Sequence, residues 1–130
     1  MKPLLKKVDA VTVQVPDLDS ALGFYRGCLG HPLRWRNDAV GQAALGMPES
    51  DTEIVLTVEH GYEPNWLVES ADAAATAFAA AGGRLLVDPV DIPVGRLAVV
   101  CDPFGNVLTL LDLSKGRYRT GDDGTVTGVA

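Results

Sequence analysis

The chain repeats one plan of secondary structure, and this repeat constrains the fold more than any single motif does. At an offset of 53 residues, positions of the same type recur in the same order: a strand end, a helix cap, an apolar helix face and a helix stop. The matched pairs are Val15 with Val68, Asp19 with Asp72, Ala21 with Ala74, Tyr25 with Phe78, Gly30 with Gly83, and Leu33 with Leu86. A conserved order at one offset indicates that a single structural unit occurs twice.

Each copy has the pattern of one strand, one helix and three further strands. Residues 10–15 alternate valine with polar residues, as a half-buried strand does. Asp17 and Asp19 offer helix-capping carboxylates, a helical stripe of apolar residues follows, and Gly30 ends the helix. Further strands are predicted at 33–36, 42–45 and 53–59, and in the second copy at 84–87, 96–101 and 107–111, the last two joined by a tight hairpin turn at 102–106.

These patterns predict an α+β fold built of two βαβββ modules, at residues 8–60 and 61–113. Together they form one domain over residues 1–113, because 130 residues suit a single domain of ordinary size. The segment 114–130 is rich in glycine and threonine and poor in apolar residues. It is predicted to be either a flexible tail or an arm that contacts a partner subunit.

A single helix covers only one face of each sheet, so the opposite face must meet something else. Alternation places Thr12 and Gln14 on that opposite face in the first module, and Asn65 and Thr109 in the second. A mixture of amide, hydroxyl and apolar groups suits a ligand cleft. A solvated sheet face and a dimer contact are the alternatives.

The charge balance bears on the partners. Seventeen acidic against eleven basic residues give a net charge of −6, which argues against nucleic acid. No lysine or arginine occurs between Arg36 and Arg84, where the acidic residues accumulate. This block is interpreted as a solvated acidic surface or as an attraction for cationic small molecules.

Other features concern the cellular compartment. No apolar run approaches about 20 residues, so no membrane span is predicted. Cys28 and Cys101 are too few for a disulfide framework or a zinc motif, and two free thiols are expected in a reducing cytoplasm.

Two segments resemble one known superfamily. Residues 15–26 (VPDLDSALGFYR) followed by Leu29-Gly30, together with residues 102–107 (DPFGNV), resemble the vicinal oxygen chelate superfamily, which includes glyoxalase I, extradiol dioxygenases and the bleomycin-resistance proteins. The resemblance extends from Val8 to Leu113. It implies paired βαβββ modules whose sheets curl around a common cleft, often in a homodimer.

The resemblance also implies where a divalent metal would bind. Enzymes of the superfamily hold the ion with one residue at the start of each module's first strand and one on each last strand. These positions correspond to Ala10, Leu56, Glu63 and Thr109 here, and only Glu63 is a good ligand. No metal and no other cofactor are therefore predicted, and metal-dependent glyoxalase or dioxygenase activity is disfavoured.

Several side chains are predicted to form a ligand site. Glu63 is the candidate general base, and a carboxylate exposed at the strand start is the alternative. Trp35 could stack on a planar ligand or a cation, and Phe104 could close the cleft or be an ordinary exposed residue of the turn. Arg96 could meet a ligand carboxylate, and a surface ion pair is the alternative. Thr12, Gln14, Leu56, Asn65 and Thr109 complete the predicted set of ligand-binding residues.

Three classes of function remain open. The leading prediction is a metal-independent protein that sequesters a planar or cationic metabolite or antibiotic. The second is an enzyme of the same fold, a lyase or isomerase that resembles lactoylglutathione lyase, or a dioxygenase-like enzyme with an atypical site. The third is a non-catalytic interaction module whose open sheet face is filled by protein.

Overall fold

The computed structural model describes residues 2–130, which divide into two compact units. The N-terminal unit comprises Asp9–Glu63 together with Tyr118–Gly128. The C-terminal unit comprises residues 2–8, Pro64–Arg117 and Val129–Ala130. Within the described residues, neither helix has the length and hydropathy that a membrane crossing requires.

The N-terminal unit contains a four-stranded mixed sheet with one helix on it. The strands lie in the order β2-β3-β4-β1, in which β1 runs parallel to β4 and the other pairs are antiparallel. The elements are β1 (Lys7–Gln14), α1 (Leu18–Leu22), a π-helical segment (Gly23–Cys28), β2 (Leu33–Asn37), a 3-10 turn (Asp38–Val40), β3 (Gln42–Met47) and β4 (Ser50–Thr57).

The core of this unit lies between α1 and the sheet. Asp17 caps the helix by accepting a hydrogen bond from the Ser20 backbone N–H at 2.7 Å. Leu18 and Ala21 then pack against buried residues of β3 and β4, among them Leu45 and Leu56. Gly30 follows the π-helical segment with a φ of 81°, the left-handed conformation expected of a helix stop.

The C-terminal unit repeats this topology. Its strands lie in the order β5-β8-β7-β6, and β5 runs parallel to β8 as β1 does to β4. The elements are β5 (Glu63–Leu67), α2 (Ala71–Ala80), β6 (Arg84–Ile92), β7 (Gly95–Cys101) and β8 (Val107–Leu111). The α+β fold with two βαβββ modules is therefore confirmed.

A run of alanines lets α2 lie close to its sheet. Ala71, Ala74 and Ala75 are buried against Val100 and Leu110 of β7 and β8. Trp66 packs on the same cluster. In this module the left-handed helix stop is Gly82, with a φ of 101°, and not the Gly83 that the offset matched with Gly30.

Asp112 holds three parts of the C-terminal unit together. Its buried carboxylate accepts hydrogen bonds from the backbone N–H groups of Ala71 at 2.7 Å, Arg96 at 2.9 Å and Ser114 at 3.1 Å. Burial by itself would raise the pKa of Asp112, but these hydrogen bonds outweigh it and hold the pKa below its ordinary value. The carboxylate thus ties the start of α2 to both ends of the β7–β8 hairpin.

The C-terminal segment folds as a hairpin. Its strands are β9 (Tyr118–Thr120) and β10 (Val126–Val129), and reciprocal backbone hydrogen bonds between Arg117 and Ala130 close its base. Residues 118–128 lie within the N-terminal unit, where Tyr118 contacts Trp35 of β2. That the segment is flexible or contacts a partner subunit stays a prediction.

Candidate functional site

The face of the N-terminal sheet that points away from α1, which we call the N-terminal open face, carries a small apolar cluster. Ala10 of β1, Ala44 of β3 and Val55 of β4 are buried there, and Trp35 of β2 packs on them. Alternation along the strands produces this arrangement, because the neighbours Val13, Leu45 and Leu56 all face α1. The open face is therefore largely apolar at its centre.

Trp35 is fixed from two sides by polar and aromatic partners. Its indole Nε1–H donates a hydrogen bond to Glu53 Oε1 at 3.2 Å. Its ring contacts that of Tyr118, with 4.6 Å between the centroids and an angle of 54° between the planes. The Tyr118 hydroxyl in turn accepts a hydrogen bond from Asn37 Nδ2 at 3.2 Å. This group of four side chains, which we call the Trp35 cluster, borders the apolar residues of the open face.

Thr12 and Gln14 lie on β1, on the same face as Ala10, as predicted. The Thr12 hydroxyl is buried and its proton is shared by the carbonyl oxygens of Gly61 at 2.7 Å and Glu63 at 3.2 Å. Thr12 therefore positions the turn before β5. Gln14 ends β1 and its side chain is exposed, which leaves the amide accessible.

Leu56 is placed differently from the prediction. It is fully buried in the cluster beneath α1, on the opposite side of the sheet from the open face. The reason is that the offset between the modules changes along the chain. Thr12 pairs with Val55 in the first module, and Asn65 pairs with Thr109 in the second. Asn65 lies 53 residues after Thr12, whereas Thr109 lies 54 residues after Val55. A constant offset of 53 selects Leu56 where the strand register selects Val55, and a shift of one residue reverses the face.

The corresponding face of the C-terminal sheet, the C-terminal open face, joins a polar pair to aliphatic residues. Asn65 and Thr109 are register partners on the parallel strands β5 and β8, and both are buried. Val99 continues the row on β7, and Leu67 pairs with Leu111 beside it. Asn65 and Thr109 thus share this face, as the alternation predicted, and the register places them side by side.

Glu63 is the first residue of β5 and is half-buried. Its backbone carbonyl accepts the hydrogen bond from Thr12 that fixes the turn. Glu63 therefore lies at the start of the first strand of the second module, the position that the resemblance implied for it.

Arg96 and Phe104 do not join the Asn65–Thr109 pair. The guanidinium of Arg96 binds Asp72 at 3.2 Å and Asp91 at 3.1 Å, on the side of the sheet that carries α2. Phe104 lies in the turn after β7 and is 87% exposed. Its backbone N–H donates a hydrogen bond to the Asp102 carboxylate at 2.8 Å. The ion pairs explain the position of Arg96 without a ligand.

The residues at the implied metal positions do not fit a divalent ion. With the register corrected, the N-terminal module contributes Ala10 and Val55, which have no donor atoms and are buried against Trp35. The other two positions hold Glu63 and Thr109, a single carboxylate and a neutral hydroxyl. Within residues 2–130, no group of three or more His, Cys, Asp or Glu side chains is arranged to hold a metal.

Three members of the Trp35 cluster carry no local sequence signal of a site. Glu53 is one of many acidic residues between Arg36 and Arg84, Asn37 is a polar residue at a strand end, and Tyr118 lies in a segment poor in apolar residues. The spacing of Glu53 from Trp35 follows from the pairing of β2 with β3 and of β3 with β4, which no local pattern reveals. The register of the sheet brings Glu53 to Trp35, and the position of the β9–β10 hairpin brings Tyr118 to it.

Comparison with known proteins places the chain in a family. A family model described as glyoxalase-like domain matches residues 10–111, so the chain belongs to the glyoxalase-like domain family. This confirms the resemblance to the vicinal oxygen chelate superfamily that the two sequence motifs indicated.

Individual relatives agree with this assignment. The chain is 38% identical over 104 residues to the protein named "Putative glyoxylase CFP32" of Mycobacterium bovis and equally to that of Mycobacterium tuberculosis. The match covers 74% of this chain but 39% of each relative, so the chain spans about two fifths of the length of these proteins.

Solved structures share the fold. Methylmalonyl-CoA epimerase from Mycobacterium tuberculosis superposes with a TM-score of 0.67 at 24% identity, covering 86% of this chain and 91% of the epimerase. Methylmalonyl-CoA epimerase from Streptomyces coelicolor gives a TM-score of 0.63 at 20% identity, covering 83% of this chain and 97% of the epimerase. At such identities the likeness establishes the architecture.

Proposed function

We propose that this chain is a metal-independent small-molecule-binding member of the glyoxalase-like family. One observation carries the proposal: two positions where the family would place metal ligands hold Ala10 and Val55, buried in an apolar cluster with Trp35. A divalent ion gains nothing from methyl groups, whereas the half-buried indole of Trp35, which packs on Ala10 and Val55, can stack on an aromatic ligand. The N-terminal open face is therefore suited to flat, largely apolar ligands.

The electrostatics favour a positive charge on that ligand. The chain carries a net charge of −6, and the acidic block that contains Glu53 has no lysine or arginine between Arg36 and Arg84. An indole attracts cations over its ring face, and an acidic surface raises the local concentration of cationic solutes. A planar aromatic cation satisfies both preferences.

A matched pair of probes tests this function. We expect the planar cation N-methylacridinium to bind the metal-free protein more tightly than neutral acridine does, as measured by isothermal titration calorimetry. Trp35→Ala should weaken binding of the cation about tenfold, in line with the loss of one stacking contact. Tyr62→Ala is the control, because Tyr62 is 80% exposed and lies outside the Trp35 cluster.

Two results would overturn the proposal. One is a stoichiometric divalent metal in the purified protein whose removal by a chelator abolishes ligand binding. The other is that wild type binds the two probes with equal affinity and that Trp35→Ala binds them as tightly as wild type does.

A second candidate is an isomerase or lyase that uses Glu63 as a base. The half-buried carboxylate at the start of β5 and the fold shared with methylmalonyl-CoA epimerases favour this alternative. A carboxylate in such a position can remove a proton next to a thioester carbonyl. Uptake of deuterium from solvent into methylmalonyl-CoA that Glu63→Gln abolishes would support this alternative. Exchange equal to that of a protein-free control would exclude this substrate.

A homodimer in the cytoplasm remains part of the proposal. Val87 and Val90 of β6 are exposed by 42% and 44%, and their burial in a subunit contact would stabilise a dimer. Cys28 and Cys101 are both free thiols, one exposed and one buried, as a reducing compartment allows. Sedimentation equilibrium that yields twice the 13.7 kDa mass of the chain would support the dimer.

A further inference from the structure

The hairpin formed by β9 and β10 contacts the outer edge of the N-terminal sheet at Arg36. The Arg36 backbone N–H of β2 donates a hydrogen bond to the Gly124 carbonyl at 2.9 Å, and Arg36 forms a parallel bridge with Thr125. Gly124 has a φ of 83°, and a Cβ there would lie 2.8 Å from a side-chain carbon of Leu33, so the turn sits directly against β2. The hairpin thus pairs with the outer edge of β2 at one residue and places its turn against that edge.

Its attachment involves few buried groups. Each of residues 118–128 is half-buried or exposed, whereas Ala43, Ala44 and Leu45 of β3 are fully buried. The turn is held by its own short hydrogen bonds, such as that from the Thr125 N–H to the Asp123 carboxylate at 2.9 Å. Segments with little buried apolar surface open at a lower free energy than the core does.

The contact of Tyr118 with Trp35 is the part of the hairpin that bears on binding. The tyrosine ring lies 4.6 Å from the indole, and its hydroxyl is oriented by Asn37. A second flat group cannot occupy the same side of the indole while Tyr118 is in place. Tyr118 therefore competes with any planar ligand that stacks there.

We propose that residues 118–128 form a movable strap and that Tyr118 must leave Trp35 before a planar ligand stacks on the indole. This inference rests on the proposed function for the identity of the ligand, but the opening of the strap is a property of the free protein. Because only the open form binds, the apparent affinity equals the intrinsic affinity multiplied by the open fraction. Weakening the Tyr118 contact should consequently strengthen binding.

Amide hydrogen exchange tests the strap without a ligand. The reporter is the Arg36 N–H, which is bonded to Gly124, and the internal reference is the Val15 N–H, which donates to Thr57 at 2.9 Å in the same unit. In wild type we expect Arg36 to be protected less than Val15. Tyr118→Ala should speed exchange at Arg36 about tenfold, and Tyr118→Phe should speed it about threefold because only the hydroxyl bond is lost.

Tyr62→Ala serves as the control and should leave both amides unchanged. Tyr118→Phe keeps the test decisive if the alanine variant fails to fold. Equal protection of Arg36 and Val15 in wild type, or exchange at Arg36 that is unaffected by both Tyr118 variants, would overturn the strap.

A binding measurement completes the test. Tyr118→Ala should bind N-methylacridinium about tenfold more tightly than wild type, while Trp35→Ala should bind it more weakly. If wild type binds and Tyr118→Ala leaves the affinity unchanged, Tyr118 does not cover the stacking face and the inference fails. If no variant binds the probe, the proposed function fails, and the exchange rates alone decide whether the strap opens.

Discussion

The two open faces differ although the two sheets have the same topology. On the N-terminal open face, Trp35 lies over Ala10, Ala44 and Val55, and Tyr118 lies against the indole. On the C-terminal open face, Asn65 and Thr109 form a polar pair among aliphatic side chains such as Leu67 and Val99. A repeated backbone therefore fixes which residues share a face and leaves the chemistry of each face to the side chains.

The outer strands of the two sheets are protected in different ways. The hairpin covers β2 through the Arg36–Gly124 hydrogen bond. The edge strand β6 carries Asp88, Pro89 and Asp91 and shifts its register twice along β7, which are features that discourage pairing with another strand. In the N-terminal unit, the hairpin at the edge of β2 also places Tyr118 over Trp35 on the open face. Edge protection and the candidate site are therefore linked in that unit.

The largest expected loss of stability follows substitution of Asp112. This residue has no counterpart in the N-terminal unit, where α1 is capped locally by Asp17. Asp112→Ala would leave three backbone N–H groups without their acceptor, and we expect it to lower the free energy of unfolding by about 4 kcal/mol. Ser70→Ala removes only the local cap of α2, from Ser70 Oγ to the Ala73 N–H at 3.1 Å, and should cost about 1 kcal/mol. Urea denaturation measures both, and equal effects would show that Asp112 does not tie the unit together.

The same residue predicts a pH dependence. Because hydrogen bonds hold the pKa of Asp112 below its ordinary value in the folded state, its stabilisation is complete above the unfolded pKa of about 3.9 and is lost as the pH falls through the folded pKa. Asp112→Asn should flatten the fall in stability below about pH 4. A variant as acid-sensitive as wild type would contradict this assignment.

The helix-side faces should respond alike, in contrast to the open faces. Leu56 beneath α1 and Leu110 beneath α2 are both fully buried, so Leu56→Ala and Leu110→Ala should each cost about 3 kcal/mol. Thermal and urea denaturation measure the loss. A small effect at Leu56 would mean that this side chain is not in the core and would restore it as a candidate for the open face.

A smaller effect is expected at Trp35. Trp35→Phe keeps an aromatic ring but removes the 3.2 Å hydrogen bond to Glu53, so we expect a loss of about 1 kcal/mol. Trp66→Phe is the comparison, because Trp66 packs beneath α2 and has no role on the open face. Ligand binding should change in the Trp35 variant alone, and a change only in the Trp66 variant would reverse the assignment of the two faces.

The smallest effect is expected on β6. Val90→Thr changes a side chain that is 44% exposed, and the free energy of unfolding should shift by less than about 0.5 kcal/mol. If this face is a subunit contact, the same substitution should lower the dimer fraction in sedimentation experiments. A loss of several kcal/mol in the monomer would show that Val90 belongs to the core.

The sequence by itself determined the elements and their repetition. Alternating valines before Asp17, the capping residues, the helical spacing and Gly30 are local signals. They predict the βαβββ plan and place Thr12, Asn65 and Thr109 on the faces that the structure shows. Each of these depends only on neighbours within one strand or helix, whose periods of 2 and 3.6 residues are fixed by backbone geometry.

Only the tertiary structure decided the register between strands and the fate of the C-terminal segment. One additional residue between corresponding strands moved the partner position from Leu56 to Val55, because a sheet reverses the side-chain direction at every residue. The hairpin of residues 118–128 contains too few apolar residues for its sequence to predict a contact. Its position depends on the edge of β2 and on the indole of Trp35, which lie more than 80 positions earlier in the chain. Such contacts are decided by which surfaces the finished sheet leaves exposed, and no local sequence pattern records them.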